Sequence, residues 1–233
     1  MYFNTIGGGY DYWLLGVFAV MILGMIAQAR VSGAFKKFSQ LPAASGLRAE
    51  EVAQRLLDDA GSRVQINSVQ GSLTDHYNPK TQTVGLSTAV YGQSSVAALA
   101  VAAHEIGHVM QHEEGYAPIK LRNAVLPVAR FGSFAGPLIV IAGAFMQAFG
   151  LAMIGVYVYA GVLLFQLVTL PVELNASTRA MEMLSAGGYI SREETAGVRR
   201  VLNAAAMTYV VAVLSALVTL LRFLSIANRS RRN

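Results

Sequence analysis

Two histidines and a glutamate lie close together in the sequence His104-Glu105-Ile106-Gly107-His108. On an α-helix, residues four positions apart project from the same face, so two imidazoles at this spacing can bind one ion. Zinc accepts histidine nitrogens at about 2.0–2.1 Å. Glu105 is then placed to take a proton from a water that the metal has acidified. The spacing is that of a metalloprotease motif, and it predicts a zinc site with Glu105 as general base.

Chance is a poor explanation of this motif. The chain has 4 His and 13 acidic residues in 233 positions. With that composition, the expected number of accidental matches is about 0.004. A pair of structural histidines would also have to account for Gly107, because glycine inside a helix costs roughly 1 kcal/mol relative to alanine. A residue without a side chain at this position indicates that another element approaches closely.

A third ligand must come from elsewhere in the chain. His112 is eight residues from His104, which is about 12 Å along a helix, so one straight helix cannot bring both rings and His108 to one ion. We expect His112 in a supporting or surface position. Glu173 is the preferred candidate, because it is the first charge after a long apolar segment and lies where the chain leaves the membrane. The alternative is that Glu173 only caps or solvates the start of a helix.

Other side chains are candidates for supporting roles. Asn175, Ser177 and Arg179 follow Glu173 at spacings from which they could orient the ligands by hydrogen bonds. Tyr209 could donate to a tetrahedral oxyanion, although an interfacial aromatic anchor is an equal interpretation. The strand expected over 81–87 could align an extended peptide at an exposed edge, although an ordinary hairpin strand is slightly favoured.

Composition places this chemistry at a membrane. The chain is 54% hydrophobic and 13% charged, whereas a soluble domain carries about 25% charged residues. The absence of Cys excludes a disulfide framework, a thiolate metal site and a Cys nucleophile. A net charge of +5 could indicate nucleic acid, but the basic residues lie beside apolar segments, which is a membrane pattern. Nucleic acid is therefore not expected as a partner.

Apolar segments long enough to cross hydrocarbon occur along the chain. Trp13 to Ala29 is the first, Phe131 to Leu170 is long enough for a hairpin of two spans, and Ala204 to Leu221 is the shortest. The hairpin turn is expected near Gln147 to Gly150. The prediction is therefore about four hydrophobic helices.

The charges around the first segment predict an anchor and its orientation. Ala27-Gln28-Ala29 resembles a signal-peptide cleavage site, but basic residues are missing before the segment and Arg30, Lys36 and Lys37 follow it. The same bias places the residues after Arg30 in the cytoplasm. Four full crossings would put the terminal arginines of 229–232 outside. Either the last segment does not cross fully, or the first span dominates the topology.

The segment between the first anchor and the hairpin has ordinary polarity and predicts a small mixed module. Residues 45–61 have an amphipathic helical pattern, 63–70 and 81–86 are expected to form a β-hairpin, and a helix capped by Ser94 or Ser95 runs to Gly115. The remaining predicted elements are a helix over 171–186 and one opened by the capping box Ser191–Glu194, which runs into the last apolar segment.

Three stretches of this sequence carry a family resemblance. The helix Val101–His112, the stretch Asp75–Pro79 running on to Leu86-Ser87, and Pro171–Ala180 together resemble the YugP-like membrane zinc metallopeptidases, over nearly the whole chain. The chain is more distantly similar to gluzincin membrane proteases of the HtpX type. In those, an Asp follows the third-ligand Glu by four residues, where this chain has Ser177.

The resemblance implies a zinc-dependent integral-membrane peptidase. It implies His104 and His108 as metal ligands, Glu105 as the catalytic acid and base, and Glu173 as the third ligand. A metzincin is excluded, because Gln111 and Glu114 stand where that class has Gly and His.

The fold class expected is a mainly α integral membrane protein with a small α+β zincin-like module. The expected function is a zinc-dependent endopeptidase of the cell membrane, with its site on the cytoplasmic side and polypeptides as substrates. The alternative is a zinc-binding membrane scaffold or adaptor without turnover, and a homo-oligomer or a membrane-protein partner is left open. The expected segments are an anchor (1–30), the module (31–130), a transmembrane hairpin (131–170), the third-ligand and connecting helices (171–203), and a hydrophobic helix with a basic tail (204–233).

Overall fold

The computed structural model describes residues 8–230, which form two compact units. The membrane unit consists of the described parts of Met1–Ile26, Lys120–Leu170 and Thr208–Asn233, and the motif unit consists of Ala27–Ile119 and Pro171–Met207. Residues 1–7 of the predicted anchor and residues 231–233 of the predicted basic tail lie outside the described residues. The elements are α1 (Gly8–Phe38), α2 (Ala49–Asp59), β1 (Gln65–Val69), β2 (His76–Asn78), β3 (Thr83–Ser87), α3 (Val96–Glu113), α4 (Ala117–Phe145), α5 (Phe149–Ala186) and α6 (Arg192–Arg229).

The prediction of a mainly helical membrane protein is confirmed. Within residues 8–230, the four helices α1, α4, α5 and α6 are long and apolar enough to cross a membrane. Large apolar side chains on α1, among them Phe18, Met21 and Met25, are exposed in the chain itself. Surfaces of this kind are suited to hydrocarbon, which solvates them at no cost.

The predicted hairpin of apolar helices is present as α4 and α5. Its turn is residues 146–148, and Gln147 adopts a left-handed conformation with φ 54°. The two helices pack through residues without side chains. A Cβ added at Gly155 would lie 2.6 Å from the Val140 backbone nitrogen, so glycine is required for this close approach.

The capping-box helix runs into the last apolar segment, as the sequence predicted, and it extends past the predicted end at Leu221. α6 is continuous from Arg192 to Arg229. Trp13 near the start of α1 and Arg229 at the end of α6 line one cavity in the membrane unit. The end of α6 therefore lies near the start of α1 within the membrane unit.

The core of the motif unit forms around α3. Ser95 caps this helix, because its hydroxyl accepts a hydrogen bond from the Ala98 amide at 3.2 Å. The amphipathic helix α2 buries Val52, Leu56 and Leu57 in the same core, as its pattern predicted.

The sheet differs from the predicted hairpin. Its strand order is β1-β3-β2, with β1 parallel to β3 and β2 antiparallel to β3. The expected antiparallel pairing of 63–70 with 81–86 is wrong, because the short strand β2 lies between them in sequence and forms the hairpin with β3. Three residues are too few to show an alternating pattern. The proposed substrate edge at 81–87 is also wrong, since β3 is the central strand, paired with β1 over Thr83–Ser87 and with β2 over Thr83–Gly85.

The predicted capping box at the start of α6 is confirmed. The Ser191 amide donates to Glu194 Oε2 at 2.7 Å, and the Glu194 amide donates to Ser191 Oγ at 3.3 Å. Glu194 Oε1 also accepts from the Ala44 amide at 2.6 Å. One carboxylate thus joins the two chain segments of the motif unit.

α3 and α5 approach closely at Gly107. A Cβ at this position would lie 2.6 Å from the Ala176 carbonyl oxygen. The expectation that another element approaches Gly107 closely is confirmed, and α5 is that element. α5 continues without a break through Pro171, so Glu173 and Ala176 belong to one helix.

Replacing Gly107 by Ala should therefore destabilise the motif unit. The new methyl group would meet backbone atoms, and overpacking of this kind costs about 1–3 kcal/mol. The thermal transition of the purified protein in detergent should fall by about 3–10 °C. Gly33→Ala is the matched control, because it is also a helical glycine and a Cβ there would meet nothing within 4 Å. An unchanged transition in Gly107→Ala would contradict the close crossing.

Candidate metal centre

Three side chains converge between α3 and α5 in the motif unit. His104 Nε2 lies 3.4 Å from Glu173 Oε2, and His108 Nε2 lies 3.5 Å from the same oxygen. Among residues 8–230, these are the His, Asp and Glu side chains that form a group able to hold a metal ion, with ligand atoms all within 4.8 Å of one another. The structure brings together the two motif histidines and the carboxylate that the sequence singled out.

The two distances to Glu173 suit a zinc ion. Atoms that hold one zinc tetrahedrally at about 2.1 Å lie about 3.4 Å apart, which matches both distances to Glu173. The buried Glu173 Oε2 has no hydrogen-bond partner among the described residues. A buried carboxylate oxygen without a partner is costly, and a cation bound by all three side chains would remove that cost. The donor set of two imidazoles and one carboxylate is the kind that zinc enzymes use.

Hydrogen bonds on the far side of each imidazole orient the two rings. His108 Nδ1 lies 3.0 Å from Gln111 Oε1, and His104 Nδ1 lies 3.3 Å from Ser177 Oγ. An imidazole that donates through Nδ1 presents the lone pair of Nε2 to a metal. Both Nε2 atoms face Glu173, so the rings are held in the orientation that a shared ion requires.

The supporting candidates Asn175, Ser177 and Arg179 fall on two sides of the cluster. Ser177 contacts His104 directly, whereas Asn175 and Arg179 reach His108 only through other side chains. Asn175 Oδ1 accepts from Gln111 Nε2 and from Arg179 Nε, each at 2.9 Å. Arg179 also forms a bidentate ion pair with Glu114, in which both nitrogen–oxygen distances are 2.7 Å.

Glu105 lies on the buried side of α3 and is 8% exposed. Burial raises the pKa of Glu105, and the carboxylates of Asp75 and Glu173 add to that rise, while the imidazoles of His104 and His108 oppose it. A carboxylate with a raised pKa is a stronger base than an ordinary surface glutamate. The environment therefore suits a group that takes up a proton and releases it again.

Two of the candidate residues lie elsewhere. His112 makes an edge-to-face contact with Tyr77 of β2, with ring centroids 5.4 Å apart, which agrees with a supporting or surface position. Tyr209 belongs to the part of α6 in the membrane unit, and its oxyanion role stays a prediction.

Gln111 is the residue of this centre to which sequence reasoning gave no role. It is fully buried and touches His108, Val172 and Asn175. The signal was present, because Gln111 is three residues after His108 and seven after His104. Residues at those spacings share one face of a helix.

Comparison with known proteins agrees with this geometry. The family described as putative neutral zinc metallopeptidase matches residues 13–228. The chain belongs to this family. It is also similar to a protein of Bacillus subtilis (strain 168) described as putative membrane protease YugP, with 42% identity over 209 residues, which cover 89% of this chain and 93% of that protein. No solved structure matches the chain significantly. Zinc is the metal that the family description names, and the side chains of His104, His108 and Glu173 are suited to it.

Removing the carboxylate from position 173 should abolish zinc binding. With Glu173→Ala, two imidazoles alone are left to hold the ion, and the zinc content of the purified protein should fall from about one equivalent to below a tenth. The content is measured by inductively coupled plasma mass spectrometry after dialysis. Glu182→Ala is the control, because Glu182 is an exposed glutamate of the same helix. A full equivalent of zinc in Glu173→Ala would refute the assignment of the third ligand.

Proposed function

We propose that this chain is a zinc-dependent membrane endopeptidase in which His104, His108 and Glu173 hold the metal and Glu105 is the general base. The observation that carries the proposal is the convergence of two imidazole nitrogens of α3 on a buried carboxylate oxygen of α5 that has no hydrogen-bond partner among the described residues. The family and its membrane-protease relative support the same reaction class.

Zinc at this centre would polarise a peptide carbonyl and lower the pKa of a water molecule to about 7. Glu105 then accepts the proton of that water and delivers it to the amine of the departing peptide. Burial raises the pKa of Glu105, which makes its carboxylate a better acceptor for the proton of that water. The reaction needs no nucleophilic side chain, in agreement with the absence of Cys.

The substrates we propose are unfolded polypeptides close to or within the bilayer. The reason is that one continuous helix, α5, contains both Glu173 and an apolar segment long enough to cross a membrane. The location we propose is a cell membrane, with several spans and with the motif unit in the cytoplasm. Basic residues support this orientation. Arg30, Lys36 and Lys37 lie where α1 enters the motif unit and the turn 146–148 has no charge, whereas Arg222 and Arg229 near the end of α6 act against it.

Replacing Glu105 by Gln should separate zinc binding from catalysis. The amide preserves the shape of the side chain but cannot accept the proton, so cleavage of a fluorescent unfolded casein should fall by at least about 100-fold. The zinc content should stay near that of the wild type. Glu113→Gln, an exposed change on the same helix, should leave both quantities unchanged.

The outcomes of this experiment distinguish the two functions. Undiminished cleavage by Glu105→Gln would remove Glu105 from the mechanism. A zinc-loaded wild type that cleaves neither soluble nor membrane-inserted polypeptides would favour the scaffold or adaptor.

The proposed orientation can be tested with single cysteines, because the natural chain has none. In intact spheroplasts, a membrane-impermeant maleimide should label Gln147→Cys in the turn between α4 and α5. It should label Ser72→Cys, in an exposed loop of the motif unit, only after permeabilisation. The reverse pattern would place the motif unit outside the cell.

A further inference from the structure

Gln111 is a buried primary amide, and such a group needs partners for both its oxygen and its nitrogen. Its side chain has no exposed surface. A buried amide without hydrogen bonds costs several kcal/mol, so the contacts that Gln111 makes are a condition for its presence in the core. It lies on the same face of α3 as His104 and His108.

Both polar atoms of the Gln111 amide have hydrogen-bond partners. Its Nε2 donates to the Val172 carbonyl at 2.8 Å and to Asn175 Oδ1 at 2.9 Å. Both amide hydrogens are thereby used on oxygen acceptors, which fixes the orientation of the amide. Its Oε1, 3.0 Å from His108 Nδ1, is then the acceptor, and His108 Nδ1 is the donor. The other ring nitrogen, Nε2, is left to face Glu173.

The same amide reaches the helix that carries the third ligand. Val172 immediately precedes Glu173 in α5. Gln111 on α3 thus links the His108 ring to the backbone of α5 next to Glu173. Any change in the distance between α3 and α5 at this level would stretch the hydrogen bonds of Gln111 and the spacing of the ligand atoms together.

An outer part of the network holds this arrangement from the surface. Asn175 Oδ1 also accepts from Arg179 Nε, and the Arg179 nitrogens Nη1 and Nη2 both donate to the carboxylate of Glu114 at the end of α3. Bidentate arginine–carboxylate pairs fix the relative orientation of the two side chains as well as their distance. The network therefore connects α3 and α5 at two levels, through Gln111 in the core and through Arg179 at the surface.

We propose that Gln111 is the positioning residue of the zinc centre, which sets zinc affinity by fixing the ring of His108 and the position of Glu173 with a single amide. Asn175 supports Gln111 in this role, because its Oδ1 accepts hydrogen bonds from both Gln111 and Arg179. The proposal rests on the ligand set of the proposed function, but not on peptide cleavage.

The test is Gln111→Met, which keeps the size of the side chain and removes all three hydrogen bonds. Residues that orient zinc ligands typically contribute 10–100-fold to metal affinity. We expect the zinc dissociation constant, measured in detergent against a chromophoric chelator, to rise by about that factor. The cobalt-loaded variant should also show altered visible absorption bands, because the rings would no longer be held in one orientation. A residue that only fills space would change neither quantity.

Two further variants complete the experiment. Asn175→Ala keeps the contact between Gln111 and His108 and removes one acceptor, so it should weaken zinc binding by less, by a few-fold to about tenfold. Gln54→Met is the matched control, because Gln54 is an exposed glutamine on α2 whose amide donates to Asp58. It should bind zinc and cobalt like the wild type.

Wild-type zinc affinity and cobalt spectrum in a folded Gln111→Met would overturn the proposal. If that variant does not fold, Asn175→Ala decides, and wild-type values there would overturn it equally. Failure of the proposed function has a different signature. Retention of zinc by Glu173→Ala would refute the ligand set, and an inactive zinc-loaded wild type would refute cleavage while leaving the measurements on Gln111 valid.

Discussion

A buried carboxylate oxygen facing two imidazole nitrogens is the interaction on which the rest of this structure depends. Lone pairs on three atoms that lie within 4.8 Å of one another repel unless a cation or a proton lies between them. Their cost is tolerable only if the helices that carry them are held firmly. The missing side chain at Gly107, the amide of Gln111 and the two-pronged pair of Arg179 with Glu114 each meet that requirement at a different point of the same helix crossing.

Two ligands are close in sequence, and the third is far away. His108 and Glu173 are separated by the whole apolar hairpin of α4 and α5. Glycines such as Gly155 let the helices of the hairpin approach backbone to backbone within the membrane unit. The third candidate ligand therefore comes from a segment far along the chain from the two histidines.

Much of this arrangement could be predicted from residues that are neighbours in sequence. The cap at Ser95, the capping box at Ser191 and the turn around Gln147 depend on residues that are neighbours in sequence, so their patterns could be recognised there. The position of β2 could not be recognised, because a three-residue strand has no period of its own and exists only through its pairing with β3. Gln111 was missed for a related reason. Its importance comes from partners on α5, and a sequence does not show which polar residue of a helix face will meet another helix.

The motif unit is assembled from two stretches of chain, Ala27–Ile119 and Pro171–Met207, and this has a consequence for biosynthesis. A ribosome that has completed the two histidines must still translate the entire hairpin before the third carboxylate exists. The bond from Glu194 to the Ala44 amide forms later still. During translation His104 and His108 therefore emerge well before Glu173, and the group of three side chains can form only after the apolar helix α4 and most of the apolar part of α5 have been synthesised.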